Sequence, residues 1–282
     1  MPSRHNGISK ERQRKAAWTW LLLGCFPSCF HQGMGVPSAA VPPLCPSTPK
    51  VLKKLDFLAR TGQVQRAVLI FRHGEKENVT WNQSLPEEEN WRRLVGAPLT
   101  LKGRIQAREL GRQIADITKV EWLMLLSSNA PRCNATITEL AKAAGQDGLP
   151  VKAEAAWQTA LHKPGEEKFT NAEFQTAGWK SIVDRLARGD KLAGFLSLDE
   201  AVQKLRKTCW TCPPSQNEGS RVKPLELTLV CTHDVILYAL ATWFTGSDVP
   251  KTPDFLETAL WWQDGGQEHF YFDSQEFVKS AA

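Results

Sequence analysis

Three short apolar runs, each followed by a segment of helical period, constrain this chain more than any other feature. The first is Ala67–Phe71 with Arg66 before it, the second is "WLMLLSS" from Trp122, and the third is "PLELTLVC" from Pro224. Apolar runs of about four to eight residues with polar flanks read as strands buried on both faces. After the first run, Thr100 is placed to cap a helix carrying Leu101, Ile105, Leu110, Ile114 and Ile117. After the second, Pro131 suits a helix start, and Ile137, Leu140, Ala141 and Ala144 supply one apolar face. After the third, "VILYALATWF" is apolar all round, the mark of a buried helix. Strands alternating with helices predict an α/β fold: a three-layer α/β/α sandwich around a mostly parallel sheet. "ALWWQDGGQEHFYF" adds a hairpin turned at Asp264-Gly265. In the middle of the chain, Trp179, Ile182, Val183 and Leu186 share a helical face that ends at Gly189, and Ser197 with Glu200 forms a capping box.

The residues that end the three strands are unusual. The first strand runs into Arg72-His73, the second through Ser127-Ser128 towards Arg132, and the third into His233-Asp234. Ligands of open α/β sheets bind just outside the carboxyl ends of strands. Two arginines, two histidines and an aspartate are therefore expected in one crevice, with Lys76 beside them. So many cations require an anion, and a phosphate monoester offers nearly two negative charges and several acceptor oxygens. Arginine presents a planar fork suited to those oxygens. The same cations disfavour an imidazolium, which would keep one histidine neutral and nucleophilic.

"LIFRHGEK", "PLTLKGRIQARELG", "SSNAPRCNATITELAKAAG" and "LVCTHDVILYALATWFTG" resemble, in order, the motifs of the histidine phosphatase superfamily. The resemblance covers roughly residues 65–145 and 224–275. It implies the phosphoglycerate mutase-like fold, a small phosphorylated substrate, and no cofactor or metal. It implies His73 as the nucleophile that becomes phosphohistidine, with Arg72, Arg132 and His233 on the phosphoryl oxygens and Asp234 as proton donor. Lys76 stands where the acid-phosphatase branch carries a second arginine, and Asn78 where that branch has proline. The mutase branch takes its proton donor from a glutamate of the middle section, so Glu154, Glu166 and Glu167 are reserve donors. The activity implied is phosphomonoester hydrolysis. The alternatives are a phosphomutase and an inactive phosphate-binding protein; a metal site built on His73, His233 and Asp234 is disfavoured by adjacent Arg72.

Residues 1–50 read as a separate leader and linker, and 51–282 as one domain with a specificity insert at 75–99 and a middle section at 150–223. The leader carries six Lys/Arg and one acidic residue, whereas the remainder carries 29 of each sign. The folded part is thus balanced, with no nucleic-acid-coating surface. "AAWTWLLLGCF" is too short to span a bilayer, which needs about 20 apolar residues. With the basic start and the small residues Ser38-Ala39-Ala40, it fits a secretory signal, giving a secreted or luminal chain whose membrane association would run through the leader alone. Organelle targeting or a cytoplasmic location is the alternative. Sequons stand at Asn78, Asn82 and Asn134. Cys209 and Cys212 lack a second ligand pair and read as a loop disulfide or two plain thiols. In the insert, Trp81, Trp91, Arg92 and Arg93 are candidates for reading the substrate or for anchoring the loop.

Overall fold

The computed structural model describes residues 41–210, 223–246, 249 and 252–280. Helix α1 (Thr48–Thr61) leads into strand β1 (Arg66–Arg72). Helices α2 (Glu87–Gly96) and α3 (Leu101–Ala115) follow, then β2 (Val120–Ser127), α4 (Pro131–Ala143) and the short β3 (Val151–Ala153). The middle section supplies α5 (Ala156–Thr159), α6 (Glu167–Ala187) and α7 (Leu198–Cys209). Last come β4 (Leu225–Thr232), α8 (Asp234–Thr245), β5 (Thr258–Asp264), β6 (Gln267–Phe272) and β7 (Gln275–Ser280).

All seven strands form one sheet in the order β3-β2-β4-β1-β5-β6-β7. The pairs β2–β3, β2–β4 and β1–β4 are parallel, and β1–β5, β5–β6 and β6–β7 are antiparallel. The sheet is therefore half parallel rather than mostly parallel. The expectation of a mostly parallel sheet holds for β1 to β4, while β5 to β7 form an antiparallel meander laid against β1.

Alternation along β1 sends Val68 and Ile70 to one face, under α6, α7 and α8. Ala67, Leu69 and Phe71 go to the other, under α1, α3 and α4. Two separate cores on opposite faces make the three-layer sandwich. Because both faces of the central strands are covered, their side chains have no polar face, and Leu225–Thr232 is buried throughout.

Three local expectations need correction. The hairpin pairs Asp264 with Gln267, so its turn is Gly265-Gly266, whose φ values of +55° and +79° suit a two-residue primed turn. Leu101 is 73% exposed, because α3 turns Ala107, Leu110 and Ile114 inward instead. Residues 41–50 belong to this body: Cys45, Ser47 and Thr48 are buried, and Gln106 Nε2 donates to Pro43 O at 2.9 Å. Helix α6 is not continuous, for Gly178 interrupts it at φ 73° and ψ 150°. Thr100 caps α3 by accepting from Gly103 N at 3.0 Å, and Ser197 forms the capping box of α7. Cys209 is a free thiol whose burial pushes it up to about 12; Cys212 lies outside the described residues. No helix among the described residues is long and apolar enough to cross a membrane, and the apolar run of the leader lies outside them.

Candidate active site

The site forms where β1, β2 and β4 end side by side. β1 carries its ladder one residue past its end, with His73 N donating to Thr232 O at 3.0 Å. The chain then turns over α3. Gly74 N donates to Thr136 Oγ1 at 3.0 Å, and Gly74 lies so close to Gly103 that a Cβ there would stand 2.8 Å from Gly103 O. Only glycines permit this backbone-to-backbone approach. Glu75 anchors the turn. Its carbonyl accepts from Thr100 N at 2.9 Å, and its carboxylate meets Lys102 Nζ at 2.6 Å.

His73 is 2% exposed. Its Nδ1 lies 2.8 Å from Gly74 O, and a carbonyl only accepts, so the proton sits on Nδ1. Nε2 therefore carries the lone pair, and it receives Arg132 Nε–H at 3.0 Å. Burial holds the His73 pKa well below 6.5, and the Arg132 guanidinium lowers it further. The ring is a neutral base with its nucleophilic nitrogen pointed at a cation.

His233 takes the opposite tautomer. Arg132 Nη2 donates to its Nδ1 at 3.2 Å, which leaves Nε2–H to donate to Ser128 Oγ at 2.9 Å. The two imidazoles meet edge to face, with centroids 5.5 Å apart. Arg132 thus bridges both histidines, and its third donor, Nη1–H, reaches Val95 O at 2.7 Å near the carboxyl end of α2.

Arg72 approaches from the other side. Nη2 pairs with Asp234 Oδ2 at 3.0 Å, Nη1 donates to Pro253 O at 2.6 Å, and the guanidinium lies over the Phe255 ring 4.4 Å from its centroid. Its Nε–H is buried without a hydrogen-bond partner. Asp234 is the first residue of α8, and its Oδ1 accepts from the adjacent Val235 N at 2.9 Å. Burial lowers the half-exposed Lys76 ammonium pKa, and Arg132 and Arg72 lower it further.

The structure thus gathers Arg72, His73, Arg132, His233 and Asp234 at one end of the sheet, as an Arg132–His73–His233 cluster and an Arg72–Asp234 pair, with Lys76 beside them. Three cations and one carboxylate leave two positive charges around the neutral His73 ring. A phosphate monoester carries nearly two negative charges, which balances them. Among the reserve carboxylates, Glu166 Oε2 is committed to Gly194 N at 3.0 Å. Glu154 follows β3, and its N–H donates to Ser127 O at 2.7 Å, which keeps it at the same end of the sheet. Glu167 opens α6 in the middle section. In the insert, Arg92 is engaged with Glu88 and Glu89, Trp81 is 42% exposed, and Arg93 is exposed. Asn78, Asn82 and Asn134 are all exposed. The sequence reading missed Phe255, Pro253 and the Val95 carbonyl. Nothing in "TPDFLE" has a period or motif that would have marked them.

The family model described as histidine phosphatase superfamily (branch 1) matches residues 68–261. Among solved structures, the chain is similar to YhfR of Bacillus stearothermophilus at 19% identity, over 74% of this chain and 97% of that one, with a TM-score of 0.47. It is similar to a mycobacterial glucosyl-3-phosphoglycerate phosphatase at 15% identity, over 76% and 96% of the two chains, with a TM-score of 0.46. A phosphoglycerate mutase from Bacillus anthracis follows at 14% identity, 78% and 95% coverage and a TM-score of 0.42. No curated protein sequence matches the chain.

Proposed function

The chain belongs to the histidine phosphatase superfamily, and within it we propose a metal-independent phosphomonoester hydrolase that works through a phosphohistidine on His73. The observation that carries this reading is the orientation of the His73 ring. Its Nδ1–H is tied to Gly74 O, so Nε2 is left as a bare lone pair held against Arg132.

An incoming phosphate dianion competes for Arg132 Nε–H with better acceptors than an imidazole. Once that donor turns to a phosphoryl oxygen, His73 Nε2 is free to attack phosphorus. Arg72, Arg132 and Lys76 hold the nonbridging oxygens, and His233 completes the cradle. As the bond from Nε2 to phosphorus forms, the bond from phosphorus to the ester oxygen breaks. The leaving alkoxide takes a proton from the Asp234 carboxyl. Water then attacks the phosphohistidine, Asp234 accepts a proton from it, and inorganic phosphate leaves. The positive crevice supplies the charge stabilisation that a metal ion gives other phosphatases. The reaction asks Asp234 to carry a proton, yet its Oδ2 is engaged by Arg72 Nη2 at 3.0 Å. Phosphate binding resolves the conflict by drawing Arg72 towards the phosphoryl oxygens.

The test is rapid quench with labelled substrate. An acid-labile, base-stable phosphoenzyme should form and vanish in His73→Ala. Label that persists in that variant would refute the assignment. Label returned to a second hydroxyl rather than released as inorganic phosphate would make the protein a mutase.

A further inference from the structure

Phe255 sits in the short segment that connects α8 to β5, outside every motif so far described. Its ring covers one face of the Arg72 guanidinium at 4.4 Å, and its centroid stands 5.7 Å from that of His73. Two backbone contacts flank it. Arg72 Nη1 donates to Pro253 O at 2.6 Å, and Arg72 N donates to Glu257 O at 3.0 Å. Residues 253–257 therefore form a strap along the whole of Arg72.

The strap is held under strain. Leu256 has φ +56°, a left-handed value that is unfavourable for a residue with a Cβ. Such outliers persist where their surroundings fix them and cluster at functional sites. Here the fixing groups come from the start of the domain. Thr48 Oγ1 donates to Leu256 O at 3.0 Å, and Ser47 Oγ donates to Glu257 Oε1 at 3.0 Å. The Glu257 carboxylate is fully buried, and its Oε2 accepts from Asp254 N at 2.7 Å. Leu256 is itself fully buried. With both sides of Phe255 tied down, the ring is presented in one place.

A cation stacked on an aromatic face keeps its in-plane N–H groups directed outward. Arg72 can therefore stay on Phe255 while its unpartnered Nε–H, and a second N–H on Nη2, turn to a phosphoryl oxygen. We propose that Phe255 is a positioning residue that holds the Arg72 guanidinium by cation–π stacking in the plane that receives phosphate. The proposal rests on the phosphate-binding role given to Arg72 above.

The experiment replaces Phe255 by leucine, by tyrosine, and by mono-, di- and trifluorophenylalanine, all in the full chain. Affinity for inorganic phosphate is read by calorimetry, turnover by p-nitrophenyl phosphate, and folding by thermal melting. Fluorination drains the ring's negative face and leaves its size nearly unchanged. Phosphate affinity should fall stepwise with fluorination, and Phe255→Leu should lose roughly three- to thirty-fold, the range such a contact commands. Phe255→Tyr should keep most of the affinity, and the melting temperatures should stay close together. A flat response to fluorination, or tighter phosphate binding in Phe255→Leu, would overturn the proposal. Wild-type protein that binds no phosphate would overturn both this inference and the functional reading. Wild-type turnover with a flat fluorination series would overturn the inference alone.

Discussion

Gly103→Ala is a sharp test of how His73 is held. A Cβ at Gly103 would lie 2.2 Å from Glu75 O and 2.8 Å from Glu75 N. Both are backbone atoms, and the same carbonyl receives Thr100 N, so neither can swing aside cheaply. Ordinary contact begins at 3.4 Å, so the Glu75 carbonyl must retreat by about 1.2 Å. That displacement falls two residues from His73. Misplacing a reacting group by about 1 Å can cost on the order of 10²-fold in rate, or roughly 2.7 kcal/mol of barrier. The stability cost is smaller. Overpacking takes about 1–3 kcal/mol, and alanine in a helix returns up to about 1 kcal/mol over glycine. Gly111→Ala is the matched control. Its Cβ would also lie 2.2 Å from a backbone oxygen, that of Leu140, but where α3 crosses α4. Both variants should melt at similarly lowered temperatures. Only Gly103→Ala should lose p-nitrophenyl phosphate turnover about 100-fold when assayed well below its melting point. Near-normal turnover in Gly103→Ala, or equal losses in the two, would mean that the glycine contact does not position His73.

Asp234→Asn keeps an acceptor for Val235 N but has no proton to give; it should lose on the order of 10²–10⁴-fold on an alkyl phosphate and much less on p-nitrophenyl phosphate. Equal losses on the two substrates would move the acid role to Glu154. His73, with its pKa depressed by burial and by Arg132, should show a neutral ring by NMR across the neutral range and titrate only well below 6.5. Since the folded state resists that proton, stability should be full above about 6.5 and fall as pH drops through the depressed value. Arg132→Met should shift the titration upward without restoring the ordinary value, because burial is the larger cause; a histidine titrating normally in the wild type would contradict the geometry. Glu268 is fully buried and pairs with Arg206 at 2.6 Å, so Glu268→Ala should cost about 3–5 kcal/mol in chemical denaturation by stranding the arginine. A loss below about 1 kcal/mol would mean that Arg206 finds another partner.

What could be read from the sequence follows its periodicities. β1, the end of β2 and β4 are buried on both faces, so they appear as largely apolar runs, and the polar residues at their ends stand out by contrast. That contrast is why Arg72, His73, Arg132, His233 and Asp234 could be placed together before any coordinates. Pairing direction has no such trace, because β5 shows the same apolar residues whether it lies parallel or antiparallel to β1. Leu101 was misplaced because spacing along α3 tolerates a shifted face, and packing against α4 decides which face is used. The strap was invisible because "TPDFLE" has no period. Its role comes from contacts with Ser47 and Thr48, which lie more than 200 positions away in the chain.

The bond from Thr48 to Leu256 also sets a limit on proteolytic trimming. Thr48 is the first residue of α1, and Arg72, His73, Arg132, His233 and Asp234 all follow it in the chain. Clipping the chain between Thr48 and Leu52 would therefore spare Arg72, His73, Arg132, His233 and Asp234. It would nevertheless free Leu256 to leave its left-handed conformation and Phe255 to leave Arg72. The fold of the crevice therefore depends on Ser47 and Thr48 as well as on the motif residues, because their hydrogen bonds reach the segment between α8 and β5.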